Sequence, residues 1–211
     1  MKEIDISSWK RREHFAFFSG MSYPHFNICF NIDITEFLTA IKEMDLPFYY
    51  TMIYLSTLSA NRIEEFRYRI RGDKVVLHDS LTPSFTDMDD GSDLFKMVTV
   101  DMHGSLFDFT VKAADKSAKQ KERFVAGDFA GRDDFIYYTS IPWISFTHIS
   151  HTINLKRDDS VPRLAFGKYF RDGSRVLLPY SVQVNHSFAD GVHVGNFMEL
   201  LEAELDNVRN L

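Results

Sequence analysis

Extended segments with period-two alternation, interleaved with segments of helical period, predict an α/β (α+β) two-layer sandwich in which helices pack on a mixed β-sheet. Three stretches carry the prediction. Residues 25–34 (HFNICFNIDI) alternate through Phe26, Ile28 and Phe30, then give way at Thr35 to the helical run TEFLTAIKEM. Residues 67–102 hold short extended segments broken by turn signals. Residues 175–184 (RVLLPYSVQV) have the branched, apolar content of a buried strand, and a helical pattern follows from Val192.

Taken in order, a strand over 25–34 and a helix from Thr35 lead into a second helix over 48–63. There Phe48, Met52, Leu55 and Ser59 recur at helical spacing. Four extended segments follow at 67–70, 74–78, 83–88 and 94–102, separated by Gly72-Asp73 and Asp89-Asp90-Gly91-Ser92. Residues 107–123 read as a helix with a charged C-terminal half, and 127–134 as a loop. Residues 135–153 and 163–170 read as extended, and Arg171-Asp172-Gly173-Ser174 as a hairpin turn into the strand at 175. The last helix, 192–208, sets Val194, Phe197, Met198, Leu201, Leu205 and Val208 on one face. No linker-like composition divides the 211 residues, so a single domain, 1–211, is expected.

The composition excludes several classes of function. A formal charge of −6 has the wrong sign for a nucleic-acid protein, whose phosphate contacts need a basic face. The single cysteine, Cys29, rules out a disulfide framework or a cysteine zinc site within one chain, and a reduced, cytoplasmic setting is expected. The N-terminal MKEIDISSWKRREHF has no apolar signal core, and no run approaches the roughly 20 apolar residues of a membrane span. Twenty Phe and nine Tyr supply flat apolar surface for pockets and interfaces as well as for the core.

The most informative pattern is His186-Ser-Phe-Ala-Asp190-Gly191 at the junction between the last strand and the last helix. Such a junction holds a side chain rigidly while leaving its tip exposed. A neutral imidazole takes a proton from a hydroxyl near neutral pH, so His186 is a candidate general base for acyl transfer, with no covalent enzyme intermediate required. Asp190 either acts on the histidine or pairs with a cation from elsewhere in the chain, and the second role is favoured. Gly191 lets the backbone turn sharply.

Several blocks, in order along the chain, resemble the chloramphenicol acetyltransferase family. They are Trp9-Lys10-Arg11-Arg12-Glu13-His14-Phe15, Asn31-Ile32-Asp33-Ile34-Thr35, the run YTMIYL at 50–55, Ile141-Pro142-Trp143, the run from Arg175 to His186, and Asp190-Gly191-Val192-His193-Val194. The likeness covers essentially the whole chain. It implies the coenzyme A-dependent acyltransferase fold and a homotrimer with each active site in a cleft between two subunits. Acetyl-CoA is the implied co-substrate and a small-molecule hydroxylated acceptor the partner, with His186 taking the acceptor proton and Asp190 paired with Arg11. The same resemblance points to Phe17, Phe18, Phe26 and Phe95 for the acceptor pocket, and to Lys168 and Trp143 for the coenzyme.

The chain also departs from the family pattern. The serine that holds the oxyanion falls on His148, whose ring N–H is able to donate in its place. On an extended strand Ser150 would share the face of His148 and serve as the alternative. A threonine aligns with Ala165, a tyrosine of the acceptor pocket with Phe18, a coenzyme lysine with Pro47, and a histidine with Asn185. Two alternatives follow: an O-acyltransferase for a different hydroxylated acceptor, or a trimeric small-molecule-binding protein with impaired catalysis.

Other signals are weaker. His148, His151, His186 and His193 lack the spacing of a metal site, since residues 148 and 151 point to opposite faces of a strand, so no metal is expected. His193 reads as a helix-face residue. Lys112, Lys116, Lys119, Lys121 and Arg123 read as a solvated helix face rather than a phosphate cluster.

Overall fold

The computed structural model describes residues 1–124, 130–155 and 159–211. The expected strand at 25–34 is β2 (His25–Asp33), which lies beside the long strand β10 (Arg175–Asn185). The main sheet runs β2-β10-β8-β7-β5-β6, with β8 Arg163–Gly167, β7 Phe135–Ile141, β5 Thr82–Met88 and β6 Phe95–Thr99. A short strand, β9 (Phe170–Asp172), pairs with the start of β10. The β5–β7 and β7–β8 pairs are parallel and the rest antiparallel, which makes the sheet mixed as predicted. A smaller sheet orders β1 (Lys2–Ile4), β4 (Lys74–Leu77) and β3 (Tyr68–Arg71) as β1-β4-β3.

Helices fill the layer on one face of the main sheet. Within β10, Leu178, Tyr180, Val182 and Val184 alternate into this side and join the principal core. Against them lies α3 (Phe48–Asn61), buried along most of its length rather than on one stripe, with Thr51, Met52, Ile53, Leu55, Ser56 and Thr57 all enclosed. Two of its buried hydroxyls reach tyrosines: Ser56 meets the Tyr180 hydroxyl at 2.8 Å and Thr57 the Tyr138 hydroxyl at 2.9 Å. The last helix, α5 (Gly191–Asp206), buries Val194, Phe197, Leu201 and Leu205. Val208, expected on the same face, is buried in a 3₁₀ turn just beyond it.

On the opposite face β10 presents Ser181, Gln183 and Asn185, all buried. Residues 142–155 cover them. The Asn27 amide donates to Ile149 O at 2.6 Å, and Gln183 Oε1 accepts from His151 N at 2.8 Å. This corrects the expectation of an extended run over 135–153, because β7 stops at Ile141. Pro142 has no N–H to continue the ladder, and the chain turns away there. With no strand at 148–151, neither the opposite-face placement of His148 and His151 nor the shared face of His148 and Ser150 applies.

Smaller differences lie at element ends. Residues 163–170 divide into β8 and β9. The helix expected over 107–123 is α4 (Leu106–Lys119), opened by a capping box between Ser105 and Asp108. Its charged tail instead turns back to β6, where Met97 N donates to Arg123 O. Part of the loop expected at 127–134, residues 127–129, lies outside the described residues. The helix α1 (Arg12–Phe18) and strand β1 were not anticipated; at seven and three residues they are too short for a period to show.

Candidate active site

The strand-to-helix junction at the end of β10 is tightly built. Asn185 Oδ1 accepts from Ser187 N at 2.9 Å, and Phe188 N and Ala189 N both donate to Asn185 O. His186 N donates to Pro24 O at 2.7 Å, which ties the junction to the start of β2. Asp190 then occupies the N-cap of α5 in extended conformation.

Arg11 reaches this junction from the N-terminal segment. An aromatic cluster anchors that segment: Trp9 meets Tyr68 edge-on at 4.9 Å, and Phe15 stacks on Phe188 at 5.9 Å. Arg11 is thereby buried, with Nη1 2.6 Å from Asp190 Oδ2 and Nη2 3.2 Å from Oδ1. Its Nη2 also donates to His186 O at 3.4 Å. The Arg11 hydrogen bond and charge hold the Asp190 carboxyl below its usual range. The expected Arg11–Asp190 pair is therefore present as a bidentate contact.

His186 is about one-third exposed, so its ring is accessible yet supported. Its Nδ1 lies 3.0 Å from Ala189 O and 3.1 Å from Asp190 Oδ1. Both neighbours are acceptors, so Nδ1 carries the proton and Nε2 is left with its lone pair. Phe18 stacks on the imidazole with centroids 4.0 Å apart and planes 14° apart, and Phe26 lies at 4.5 Å. Phe17 stands edge-on to Phe18 and is largely exposed. A base with its lone pair free, set in an apolar aromatic frame, is suited to removing a proton from a hydroxyl away from bulk water.

The other predicted residues lie elsewhere. Phe95 is half exposed at the far edge of the sheet and packs edge-on with Phe124. Trp143 and Lys168 are both exposed. Their segments meet, since Lys168 N donates to Ile144 O at 2.9 Å and Ser145 Oγ donates to Lys168 O at 2.5 Å. The β10–β8 register places Tyr180 opposite Phe166, so Lys168 lies level with Leu178, roughly 25 Å along β10 from His186. His148 is exposed within the 142–155 segment. A single chain thus assembles the base and its support at one end of β10 and the Trp143–Lys168 locus toward the other.

Two contacts were not foreseen. His193 accepts from Asp190 N at 2.8 Å and faces Glu65 at 3.4 Å, where it had read as a plain helix-face residue. Its position three residues after an N-cap was the available signal. Glu65 gave none, being local to a 3₁₀ turn far away in sequence. Among the described residues no group of His, Cys, Asp and Glu is arranged to hold a metal ion, and no helix is long and apolar enough to cross a membrane.

A mixed sheet of this order, helices on one face and a histidine at the end of its longest strand define an acyltransferase of the coenzyme A-dependent fold. The chain belongs to the chloramphenicol acetyltransferase family, whose sequence profile matches residues 1–202. It is 31% identical over 209 residues to chloramphenicol acetyltransferase 2 of Haemophilus influenzae, covering 97% of each chain. It is 30% identical over 208 residues to chloramphenicol acetyltransferase 2 of Escherichia coli, again covering 97% of each. A solved chloramphenicol acetyltransferase superposes with a TM-score of 0.86 at 26% identity, covering 97% of this chain and 100% of that one. The dihydrolipoamide acetyltransferase of Azotobacter vinelandii shares the fold, with a TM-score of 0.63 at 17% identity over 94% of this chain and 87% of that one.

Proposed function

We propose that this protein transfers acetyl from acetyl-CoA to the hydroxyl of chloramphenicol, with His186 as general base. The observation that carries the reading is the pinning of His186 Nδ1 by Ala189 O, which leaves Nε2 free beside Phe18 and Phe26. Nε2 takes the acceptor's proton as its oxygen attacks the thioester carbonyl. Collapse of the tetrahedral intermediate breaks the carbon–sulfur bond, and the departing thiolate takes the proton back from the imidazolium. An N–H of His148 stabilises the oxyanion; losing such a donor costs roughly 10²–10³ in rate.

The separation of His186 from the Trp143–Lys168 locus along β10 supports a homotrimer in which neighbouring subunits complete each site. In that arrangement Trp143 and Lys168 of one subunit hold acetyl-CoA, and Phe17, Phe18, Phe26 and Phe95 contribute to the acceptor pocket. Asp190 and Arg11 hold the junction. The setting is the cytoplasm, where acetyl-CoA is made.

A second acceptor is favoured by one observation. The ring at the position of the family's tyrosine is Phe18, which has no hydroxyl and lies flat on His186, so a polar contact to chloramphenicol is missing there. Thiol release from acetyl-CoA, with and without chloramphenicol and beside His186→Ala, is the test. Release that needs both chloramphenicol and His186 supports the primary reading. Release with other hydroxylated acceptors alone supports the second, and transfer that persists in His186→Ala overturns the role of the base.

A further inference from the structure

The peptide joining Ala189 to Asp190 is gripped at both polar ends by a histidine. Its carbonyl lies 3.0 Å from Nδ1 of His186, and its N–H donates to Nδ1 of His193 at 2.8 Å. A carbonyl only accepts, so His186 supplies an N–H there. An N–H only donates, so His193 presents a lone pair at Nδ1 and carries its proton at Nε2. That Nε2 is 3.4 Å from Oε1 of Glu65, and both side chains are largely buried.

Every donor in this series points the same way: from His186 to the peptide, from the peptide to His193, and from His193 toward Glu65. Aligned polar groups polarise one another, and the carboxylate at the far end favours positive charge at the near end. We propose that His193 and Glu65 are positioning residues that strengthen the hydrogen bond from His186 Nδ1–H to Ala189 O and so make Nε2 a better base, acting through the Ala189–Asp190 peptide. The inference rests on the reading of His186 as the base.

A simple helix cap does not account for the arrangement. Capping the Asp190 N–H needs one acceptor at the third position of α5, and a glutamate or glutamine serves. Neither a ring with a second nitrogen nor a buried carboxylate behind it is required. The other charged groups around the series are the Asp190 carboxylate, Arg11 bound to it, and Lys10, 3.6 Å from Glu65. Phe18 on α1 and Phe26 on β2, the rings against His186, contribute no titrating group.

The test compares His193→Phe, His193→Gln and Glu65→Gln in the full chain. Its readouts are steady-state kinetics across pH, nitrogen NMR of the histidine rings and thermal melting. In His193→Phe, kcat falls roughly tenfold with both KM values nearly unchanged, and the acid limb of kcat/KM moves to lower pH. The His186 Nδ1–H resonance also moves, because its carbonyl acceptor is no longer polarised from the far side, while the proton stays on Nδ1 between Ala189 O and Asp190 Oδ1. His193→Gln restores most of the rate, because its amide accepts from Asp190 N and donates toward Glu65. Glu65→Gln shifts the acid limb in the same direction and keeps the proposal testable if His193→Phe does not fold. An unchanged acid limb and an unchanged His186 Nδ1–H resonance in both Glu65→Gln and any folded His193→Phe protein, with only the melting point lowered, would overturn the relay. If the wild-type protein transfers no acetyl group, the functional reading fails by itself, and the NMR comparison still decides the relay.

Discussion

Arg11 and Asp190, 179 positions apart in sequence, form a two-point ion pair that fastens the N-terminal segment beneath the turn carrying His186. Arg11 is nearly inaccessible, so removing its partner strands a buried charge, a loss of about 3–5 kcal/mol. Asp190→Ala is expected to lower melting temperature and turnover together, and Arg11→Lys to recover little of either, since an ammonium has no planar fork. A pure rate loss with unchanged melting would instead assign Asp190 a direct part in the chemistry. The acid dependence has a definite sign. The folded carboxyl titrates below its unfolded value, so the pair's contribution is complete above the unfolded pKa and is lost as pH falls through the folded one.

Gly167 ends β8 where the chain crosses residues 144–146. A Cβ at this position meets Ile144 O at 2.7 Å and the Phe146 ring at 2.9 Å, so Gly167→Ala pushes the segment bearing Trp143 away from Lys168. On the proposed assignment, KM for acetyl-CoA rises several-fold while KM for the acceptor and kcat at saturating coenzyme change little. Equal changes in both KM values would remove the Trp143–Lys168 locus from coenzyme binding.

Lys96 is a buried amine with a defined purpose. Its Nζ donates to Ser117 O at 2.7 Å and Gln120 O at 3.3 Å at the end of α4, and pairs with Asp89 in the β5–β6 turn. Lys96→Met fills the same space and leaves those carbonyls unmet, a cost of roughly 2–3 kcal/mol. Urea unfolding reads this directly, and a midpoint equal to wild type would show that water replaces the amine.

His151 is held neutral by burial, helped by the nearby Arg163 charge, and its pKa is pushed down to about 4 from the ordinary 6.5. The unfolded chain therefore binds this proton first. Stability is full above pH 6.5 and declines as pH falls toward 4, where the folded group also takes up its proton. His25 and His78 are shifted in the same direction, chiefly by burial, so His151→Asn should flatten the acid decline of the melting temperature only in part. A decline as steep as wild type would show that His151 is hydrated in solution.

The sequence made some of this architecture legible and concealed the rest for physical reasons. The alternation in β10 and the stripe on α5 survive because each element has one fixed neighbour for its apolar face. Residues 142–155 misled, because the segment meets the polar face of β2 and β10 through main-chain atoms, Ile149 O and His151 N, rather than continuing a ladder. His186 and Asp190 stood out through local spacing, whereas Glu65 belongs to the same cluster only through tertiary packing. Arg11 was placed by family resemblance; nothing in its own surroundings announces that an aromatic cluster draws it inward.

The length of β10 carries a consequence for genetics. In the proposed homotrimer, with the base at one end of β10 and the Trp143–Lys168 locus toward the other, each polypeptide would contribute two half-sites to different reaction centres. Co-expressing a His186→Ala chain with a Gly167→Ala, Lys168→Ala chain should then regenerate some intact centres in mixed assemblies and raise turnover at low acetyl-CoA above that of either parent. Such rescue between alleles would turn the span of one strand into a count of how many chains a single turnover requires.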